Sequence, residues 1–169
     1  GSVRLDADIR DYIDFPKKDQ VITVEHLLTH TSGIPNYTDL PSFTPKTFGK
    51  DVLVKDVVAT FKDLPLEFAP GTGWNYSNSG YILLGLIVEK ASGLAWDAYM
   101  QEFIFTPAGM THTSASPDNA LVENEITGYA PEEGKWSEAI PLSLTWPYSA
   151  GVIRSTVGDM NRWNTAVMS

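Results

Sequence analysis

The stretch of sequence that decides the fold reads Trp74-Asn75-Tyr76-Ser77-Asn78-Ser79-Gly80 and continues as the apolar run Tyr81-Ile82-Leu83-Leu84-Gly85-Leu86-Ile87-Val88. Ser77 and Ser79 are both of the residue type that caps the start of a helix. Gly93 is of the type that ends a helix in a left-handed conformation. Because the run is apolar on nearly all sides, it predicts a central, buried helix that begins at one of these serines and ends near Ser92.

Two further helices are predicted before this one. Thr23 is a suitable N-cap for the first helix, and Gly33 followed by Pro35 marks its end. Residues 51–64 predict the second helix, whose apolar side chains fall on one face: Val54, Val57, Val58 and Phe61. Residues 34–50 are rich in proline, threonine and serine, and they predict a long surface loop between the two helices.

After the central helix, the residue patterns predict helices over 95–105 and 156–168 and strands over 125–130 and 135–144. Thr156 is the expected N-cap of the last helix, with Asp159 three residues later. The turn 131–134 joins the two strands into a hairpin. The predicted fold class is therefore mainly α with a small antiparallel β-hairpin, and residues 1–169 are expected to form a single unit.

The composition excludes several classes of function. The chain has 169 residues, of which 43% are hydrophobic, and a net charge of −9. Such acidity disfavours binding to nucleic acid or to anionic membranes, because both attract basic surfaces. The chain has no cysteine, which excludes disulfides and thiolate catalysis. No apolar stretch reaches the roughly 18 residues of a membrane span. We expect no cofactor and no metal.

Tyr76 and Asn78 are the candidate site residues. In an extended segment, residues two apart point to the same side, so both side chains can face a cleft while Ser77 points away. A phenol acts as a general base near neutral pH only where cations lower its pKa from about 10, and an amide can orient a carbonyl or an ammonium group. The alternative is a tyrosine that packs on the helix and an asparagine that forms a turn.

Five blocks in order along the chain resemble the serine β-lactamase and penicillin-binding-protein-like family, in particular its class C, D-aminopeptidase and esterase branches. The blocks are residues 3–8, residues 22–35 with the run His26-Leu27-Leu28-Thr29-His30-Thr31-Ser32-Gly33, residues 68–85 with Tyr76-Ser77-Asn78, residues 105–113, and residues 149–160. The resemblance covers the chain from about Arg4 to Ala166. It implies that the chain is the central helical part of the β-lactamase/transpeptidase-like α+β fold.

The resemblance implies acyl transfer, in which a serine attacks an amide, ester or β-lactam carbonyl and water resolves the acyl-enzyme. It gives Tyr76 the role of proton transfer and Asn78 the role of positioning the substrate and a lysine. The family's nucleophile lies in Ser-x-x-Lys, a pattern absent from these 169 residues. We expect it upstream of Val3, and a Lys-Thr-Gly or His-x-Gly strand downstream of Ser169. The chain alone is accordingly expected to be inactive.

Other nucleophiles and sites are weaker candidates. Thr47-Phe48-Gly49-Lys50 is the nearest internal substitute for the nucleophile motif, but it lies in a predicted loop with a glycine inside. His26 and His30 are spaced i, i+4 as in zinc-binding helices, although the glutamate and the third ligand of such sites are missing. A structural interpretation, in which the ring nitrogens bond to backbone near the helix end, is preferred. A zinc-binding helical domain remains the alternative.

Trp74, Tyr148 and Ser149 are the predicted substrate-pocket residues, because they flank the two blocks that resemble a site. Ordinary packing of large rings is the alternative for the two aromatic residues. The expected partner is a small-molecule or peptide substrate. Without the family's sheet the chain would expose an apolar face, so self-association is also expected. A non-catalytic protein that uses the same fold for binding or as a scaffold is the competing function.

Overall fold

The computed structural model describes residues 2–117, 125–132 and 134–168. In these ranges the α-helices are α1 (Val24–Leu28), α2 (Pro45–Phe48), α3 (Val54–Phe61), α4 (Asn78–Ser92), α5 (Trp96–Met100) and α6 (Val157–Met168). Helix α5 continues as a π-helical turn, Gln101–Phe105, and 3-10 turns occupy Ile9–Asp11, Tyr37–Asp39 and Tyr148–Ala150. Strand β1 (Tyr129–Glu132) pairs antiparallel with β2 (Lys135–Glu138). The predicted fold class, mainly α with one small hairpin, is confirmed.

Helix α4 is the centre of the structure, as the apolar run predicts. It begins where the Ser77 hydroxyl accepts a hydrogen bond from the Gly80 N–H, and it ends at Gly93, whose φ is 75°. Ile82, Leu83 and Ile87 are each at most 1% exposed. The helix packs against α1, α3, α5 and the turn Tyr148–Ala150. Its two ends are therefore fixed by local caps, and its position is fixed by burial on several sides.

The main hydrophobic core lies between α4 and the elements around it. Ile9 and Leu27 pack with Val57 and Phe61 of α3, and the α4 side chains lie between them. Full burial of an aliphatic or aromatic side chain of this size contributes about 1.5–3 kcal/mol each. A smaller cluster joins the end of the π-helical turn to the segment before α6: Phe105, Met110, Ala115 and Val152.

Helix α1 is shorter than predicted. Thr23 caps it as expected, with the capping box closed by the His26 ring, but the helix ends at Leu28 and not near Gly33. The chain leaves the helix because His30 adopts a left-handed conformation, with φ of 59°. The freed carbonyls of His30 and Thr31 accept hydrogen bonds from the backbone of the 71–75 segment. Gly33 lies in a turn after the helix, with φ of 72°. An added Cβ at this position would lie 2.2 Å from the Phe68 carbonyl oxygen, so the turn requires glycine.

The prediction of a surface loop over residues 34–50 is wrong for its first part. Residues 32–37 are buried, and α2 (Pro45–Phe48) interrupts the remainder. The buried backbone is satisfied from the start of α4, because the Ser79 hydroxyl donates to the Pro35 carbonyl at 2.7 Å and accepts from the Tyr37 N–H at 2.9 Å. A proline- and serine-rich composition indicates turns, and it does not reveal that a distant side chain pairs with those turns.

The remaining elements differ from prediction mainly in length. Helix α3 is shorter at both ends but buries Val57, Val58 and Phe61 on the predicted face. In the hairpin, Pro131 and Glu132 belong to β1 and not to the turn, while Glu133 lies outside the described residues. Helix α6 begins as predicted, with the Asp159 N–H donating to the Thr156 hydroxyl at 3.2 Å. In the described ranges no helix has the length and apolarity needed to cross a membrane.

Candidate active site

The segment 76–78 crosses the surface immediately before α4 and alternates in direction. Ser77 is extended, with φ −143° and ψ 110°, and its hydroxyl donates inward to the Ile34 carbonyl at 3.1 Å. Tyr76 is 51% exposed, and its hydroxyl donates to Asn78 Oδ1 at 3.2 Å. The structure thus brings the two candidate side chains together on one side, with Ser77 buried between them. Their roles in catalysis stay predictions.

Asn78 is held from beneath by Asn36, a residue that the sequence analysis did not single out. Asn36 Oδ1 accepts from the Asn78 backbone N–H at 3.1 Å and from Asn78 Nδ2 at 3.2 Å. Asn36 Nδ2 in turn donates to Thr38 Oγ1 at 2.7 Å and to Asp39 Oδ2 at 3.1 Å. Asn36 is only 6% exposed, so every polar atom of its amide needs such a partner. A single asparagine after a proline gave no usable sequence signal.

The Tyr76 ring packs against the ring of His30. Together with Asn36, His30 therefore holds the candidate side chains in place. The two ring centroids are 4.7 Å apart, and the His30 ring also stacks on Tyr81 at 5.1 Å and meets the edge of Trp74 at 6.1 Å. His30 Nδ1 accepts from the Ser77 N–H at 3.2 Å. Burial lowers the pKa of His30 below its ordinary 6.5. The neutral ring that this favours is the form that can accept this hydrogen bond.

The histidines therefore bond to backbone, in the way that the structural interpretation describes. His26 Nδ1 accepts from the Thr23 N–H at 3.2 Å and completes the cap of α1. Among the residues that the structure describes, no group of three or more histidine, cysteine, aspartate or glutamate side chains is arranged to hold a metal ion. His112 is exposed, and its backbone N–H donates to Asp159 at 2.7 Å.

The three predicted pocket residues lie in two places. Trp74 is 67% exposed and touches His30, so it belongs to the aromatic cluster beside Tyr76. Tyr148 and Ser149 instead pack against the middle of α4, where Gly85 leaves room for them. The Ser149 hydroxyl donates to the Tyr81 carbonyl at 2.8 Å. Tyr148 is buried, and this burial, together with the Glu89 carboxylate, raises the pKa of its hydroxyl.

Thr47, the internal substitute for a nucleophile, is engaged in holding its own helix. Its hydroxyl lies 2.8 Å from the Thr44 backbone nitrogen and 2.8 Å from the Thr44 carbonyl oxygen, so it caps α2. Helix α2 ends at Phe48 with Gly49 as its C-cap, and Lys50 lies beyond it. The part of the predicted loop that contains Thr47 is thus a short helix. Thr47 and Lys50 do not share a helical face, because the last helical residue precedes Lys50 by two positions.

Taken together, the site offers one phenol, one amide oxygen and an aromatic surface. Tyr76 supplies an O–H that can donate or accept, and Asn78 supplies an acceptor within 3.2 Å of it. The described hydrogen bonds and ring contacts of Tyr76 are with Asn78 and His30. The arrangement is suited to bind a polar group next to an apolar one.

Comparison with known proteins identifies the family of the chain. The chain matches the family model described as Beta-lactamase over residues 1–168. It is 42% identical over 164 residues to Penicillin-binding protein 4* of Bacillus subtilis (strain 168), a match that covers 88% of this chain and 36% of that protein.

Among solved structures, a D-stereospecific amidohydrolase from Streptomyces sp. superposes with a TM-score of 0.88 at 25% identity, over 99% of this chain and 54% of that one. D-amino acid amidase from Ochrobactrum anthropi SV3, complexed with D-phenylalanine, gives a TM-score of 0.83 at 27% identity, over 99% of this chain and 50% of that one. The chain thus spans between about a third and a half of the length of these relatives. Because the family model matches nearly every residue, the chain belongs to the beta-lactamase family.

Proposed function

We propose that this chain supplies the tyrosine and asparagine of the active site of a serine hydrolase that works through an acyl-enzyme. Tyr76 would take the proton from the attacking serine hydroxyl and pass it to the leaving group. Asn78 would position the substrate and a lysine. The single observation that carries the proposal is the pairing of Tyr76 Oη with Asn78 Oδ1 at 3.2 Å on an exposed surface in a beta-lactamase family chain.

The reaction that fits is acyl transfer from an amide, a β-lactam or an ester. A serine oxygen adds to the carbonyl carbon, the bond to the leaving nitrogen or oxygen breaks, and the leaving group receives a proton. Water then hydrolyses the acyl-serine ester. The relatives support this range, because their names describe a penicillin-binding protein, an amidohydrolase and an amidase. The serine and its lysine would come from a Ser-x-x-Lys segment, which these 169 residues do not contain.

The first test is to read the coding sequence on both sides of residues 1–169. A Ser-x-x-Lys upstream and a Lys-Thr-Gly or His-x-Gly downstream are expected. A reading frame with neither motif would overturn the hydrolase proposal. It would favour the alternative, a non-catalytic protein that uses the beta-lactamase fold for binding or as a scaffold.

The second test measures activity in the longer protein. The probes are a fluorescent penicillin for acylation, D-phenylalanine amide for amidase activity and p-nitrophenyl acetate for esterase activity. Tyr76→Phe should lower kcat/KM at least 100-fold on whichever substrate is turned over, because a positioned acid–base group typically contributes 10²–10⁴-fold. Tyr129→Phe, the same chemical change on the exposed hairpin, should leave it unaltered. Full activity of Tyr76→Phe would refute the assignment.

Two proposals concern the isolated chain. It should not be labelled by the fluorescent penicillin, because the nucleophile motif is absent from it. Self-association also stays a proposal, and it is supported by an apolar groove of about 520 Å³ lined by side chains that include Leu5, Leu28, Leu84 and Tyr99. Size-exclusion chromatography at high concentration should show a species larger than 18.6 kDa. A clean monomer would refute it.

A further inference from the structure

A line of polar side chains leads from the surface to the candidate site. It begins at the exposed carboxylate of Asp39, passes through the buried amide of Asn36 to the amide of Asn78, and ends at the hydroxyl of Tyr76. Each link is a hydrogen bond between side chains, with donor–acceptor distances of 3.1, 3.2 and 3.2 Å in that order. A side-chain amide has one accepting end and one donating end. The orientation of each amide along the line therefore decides whether the next group meets an acceptor or a donor.

The direction of the Asn36 amide is fixed from both ends. The ionised carboxylate of Asp39 can only accept, so the Asn36 NH₂ group must face it. The backbone N–H of Asn78 can only donate, so Asn36 Oδ1 must face Asn78. Rotating the Asn36 amide by 180° would oppose oxygen to carboxylate on one side and N–H to NH₂ on the other. Because Asn36 is buried, water is not available to relieve either mismatch.

The direction of the Asn78 amide follows from that of Asn36. Asn36 Oδ1 accepts, so the Asn78 NH₂ group faces it, with Thr38 Oγ1 as a longer second acceptor at 3.4 Å. Asn78 Oδ1 is therefore turned toward the Tyr76 hydroxyl. Without these constraints a partly buried amide could present either end at similar cost.

We propose that Asp39 and Asn36 are positioning residues that fix the polarity of the Asn78 amide, so that the site presents an oxygen, and not an NH₂ group, beside Tyr76. A group that binds at this point must then be a hydrogen-bond donor. The polarity itself is independent of whether the protein is a hydrolase. Its effect on turnover rests on the function proposed above.

The decisive variants change polarity while conserving shape. Asp39→Asn is isosteric but replaces the acceptor with an amide that can also donate, so the Asn36 amide is fixed only at its Asn78 end and a population with rotated Asn36 and Asn78 amides becomes accessible. The double variant N36D/D39N exchanges the two groups. In it a carboxylate at position 36 accepts from Asn78 and from the new amide at position 39, which restores the acceptor facing Asn78. A role in packing alone would not separate these variants, because their volumes are nearly equal.

The direct readout is the side-chain NH₂ group of Asn78, followed by NMR in the 169-residue chain. In the wild type and in N36D/D39N, its protons should show contacts to Thr38 and slow exchange with water. In Asp39→Asn a second set of signals with contacts to the Tyr76 ring should appear. Contacts to the Tyr76 ring in the wild type, or identical spectra for Asp39→Asn and the wild type, would overturn the proposal.

Kinetics in the longer protein provide the second readout. Asp39→Asn should lower kcat/KM by about tenfold, the effect of one mismatched buried hydrogen bond, and N36D/D39N should recover most of that loss. A loss shared equally by Asp39→Asn and N36D/D39N would overturn the positioning role. If Tyr76→Phe proved fully active while the NMR contacts were as expected, the proton-transfer role of Tyr76 would fail and the polarity assignment would stand.

Discussion

Gly85 in the middle of α4 is the position where a single added methyl group should be most costly. An alanine Cβ there would lie 2.1 Å from the Ser149 Oγ, 2.4 Å from the Ser149 Cβ and 3.2 Å from the Tyr148 Cε1. Two of these distances are far inside van der Waals contact, so α4 and the turn Tyr148–Ala150 would have to move apart. We expect Gly85→Ala to destabilise the protein even though alanine is the better helix former.

The magnitude follows from three contributions. Helix propensity favours alanine over glycine by about 1 kcal/mol. Displacement of Ser149 breaks its hydrogen bond to the Tyr81 carbonyl, which costs about 1 kcal/mol and cancels that gain. Overpacking of a well-filled site costs a further 1–3 kcal/mol or so. The free energy of unfolding should therefore fall by about 1–3 kcal/mol, and the Tm by about 2–12 °C.

Urea denaturation followed by circular dichroism measures the effect, and the same helix provides the control. At Gly80 an added Cβ would meet nothing closer than the Leu27 carbonyl oxygen at 3.5 Å, which is ordinary contact. Gly80→Ala should therefore be neutral or slightly stabilising. The double variant G85A/S149G removes both severe clashes and should be more stable than Gly85→Ala alone. Equal stability of Gly85→Ala and Gly80→Ala would refute the reasoning.

Three further predictions concern the caps and titrating groups. Ser77→Ala removes the cap of α4 and leaves the buried Ile34 carbonyl without its hydrogen-bond donor. The free energy of unfolding should therefore fall by about 1–2 kcal/mol in urea denaturation. An unchanged urea midpoint would contradict this. Because the pKa of His30 is lowered by burial, the unfolded chain binds more protons just below pH 6.5, so stability should fall on acidification through that range, and less steeply in His30→Asn. Burial opposes the charge of Asp159 most strongly, but hydrogen bonds, including those from Thr113 and Arg162, outweigh it and lower its pKa below 3.8. Its contribution to stability should therefore be complete above pH 3.8 and be lost as the pH falls through the folded value, and Asp159→Asn should flatten that acid limb.

The elements that could be predicted from sequence are those whose signals are local. Ser77 and Gly93 mark the ends of α4, and the apolar run between them already requires burial on several sides. The spacing of Val57, Val58 and Phe61 identifies the buried face of α3 in the same way. The extents of α1 and of the hairpin were less predictable, because they depend on how the chain leaves each element.

For the candidate site, sequence alone determined that the side chains of Tyr76 and Asn78 lie on one side. Residues two positions apart in an extended segment point to the same side because of the backbone geometry. The five ordered blocks determined the family, which the match over residues 1–168 confirms. Neither the spacing of Tyr76 and Asn78 nor the five blocks indicated which residues hold these two side chains in place. Asn36 lies 42 residues from Asn78, and His30 lies 47 residues from Ser77.

Those supports were decided by the tertiary structure, for a physical reason. Buried backbone and amide groups need hydrogen-bond partners. The sequence does not indicate which distant atoms become those partners, because that depends on how the chain folds. The packing of residues 32–37 against the start of α4 brings the Asn36 amide beneath Asn78 and the His30 ring behind Tyr76. Residue spacing thus placed the two candidate side chains side by side, whereas only the folded chain set the direction in which the Asn78 amide points.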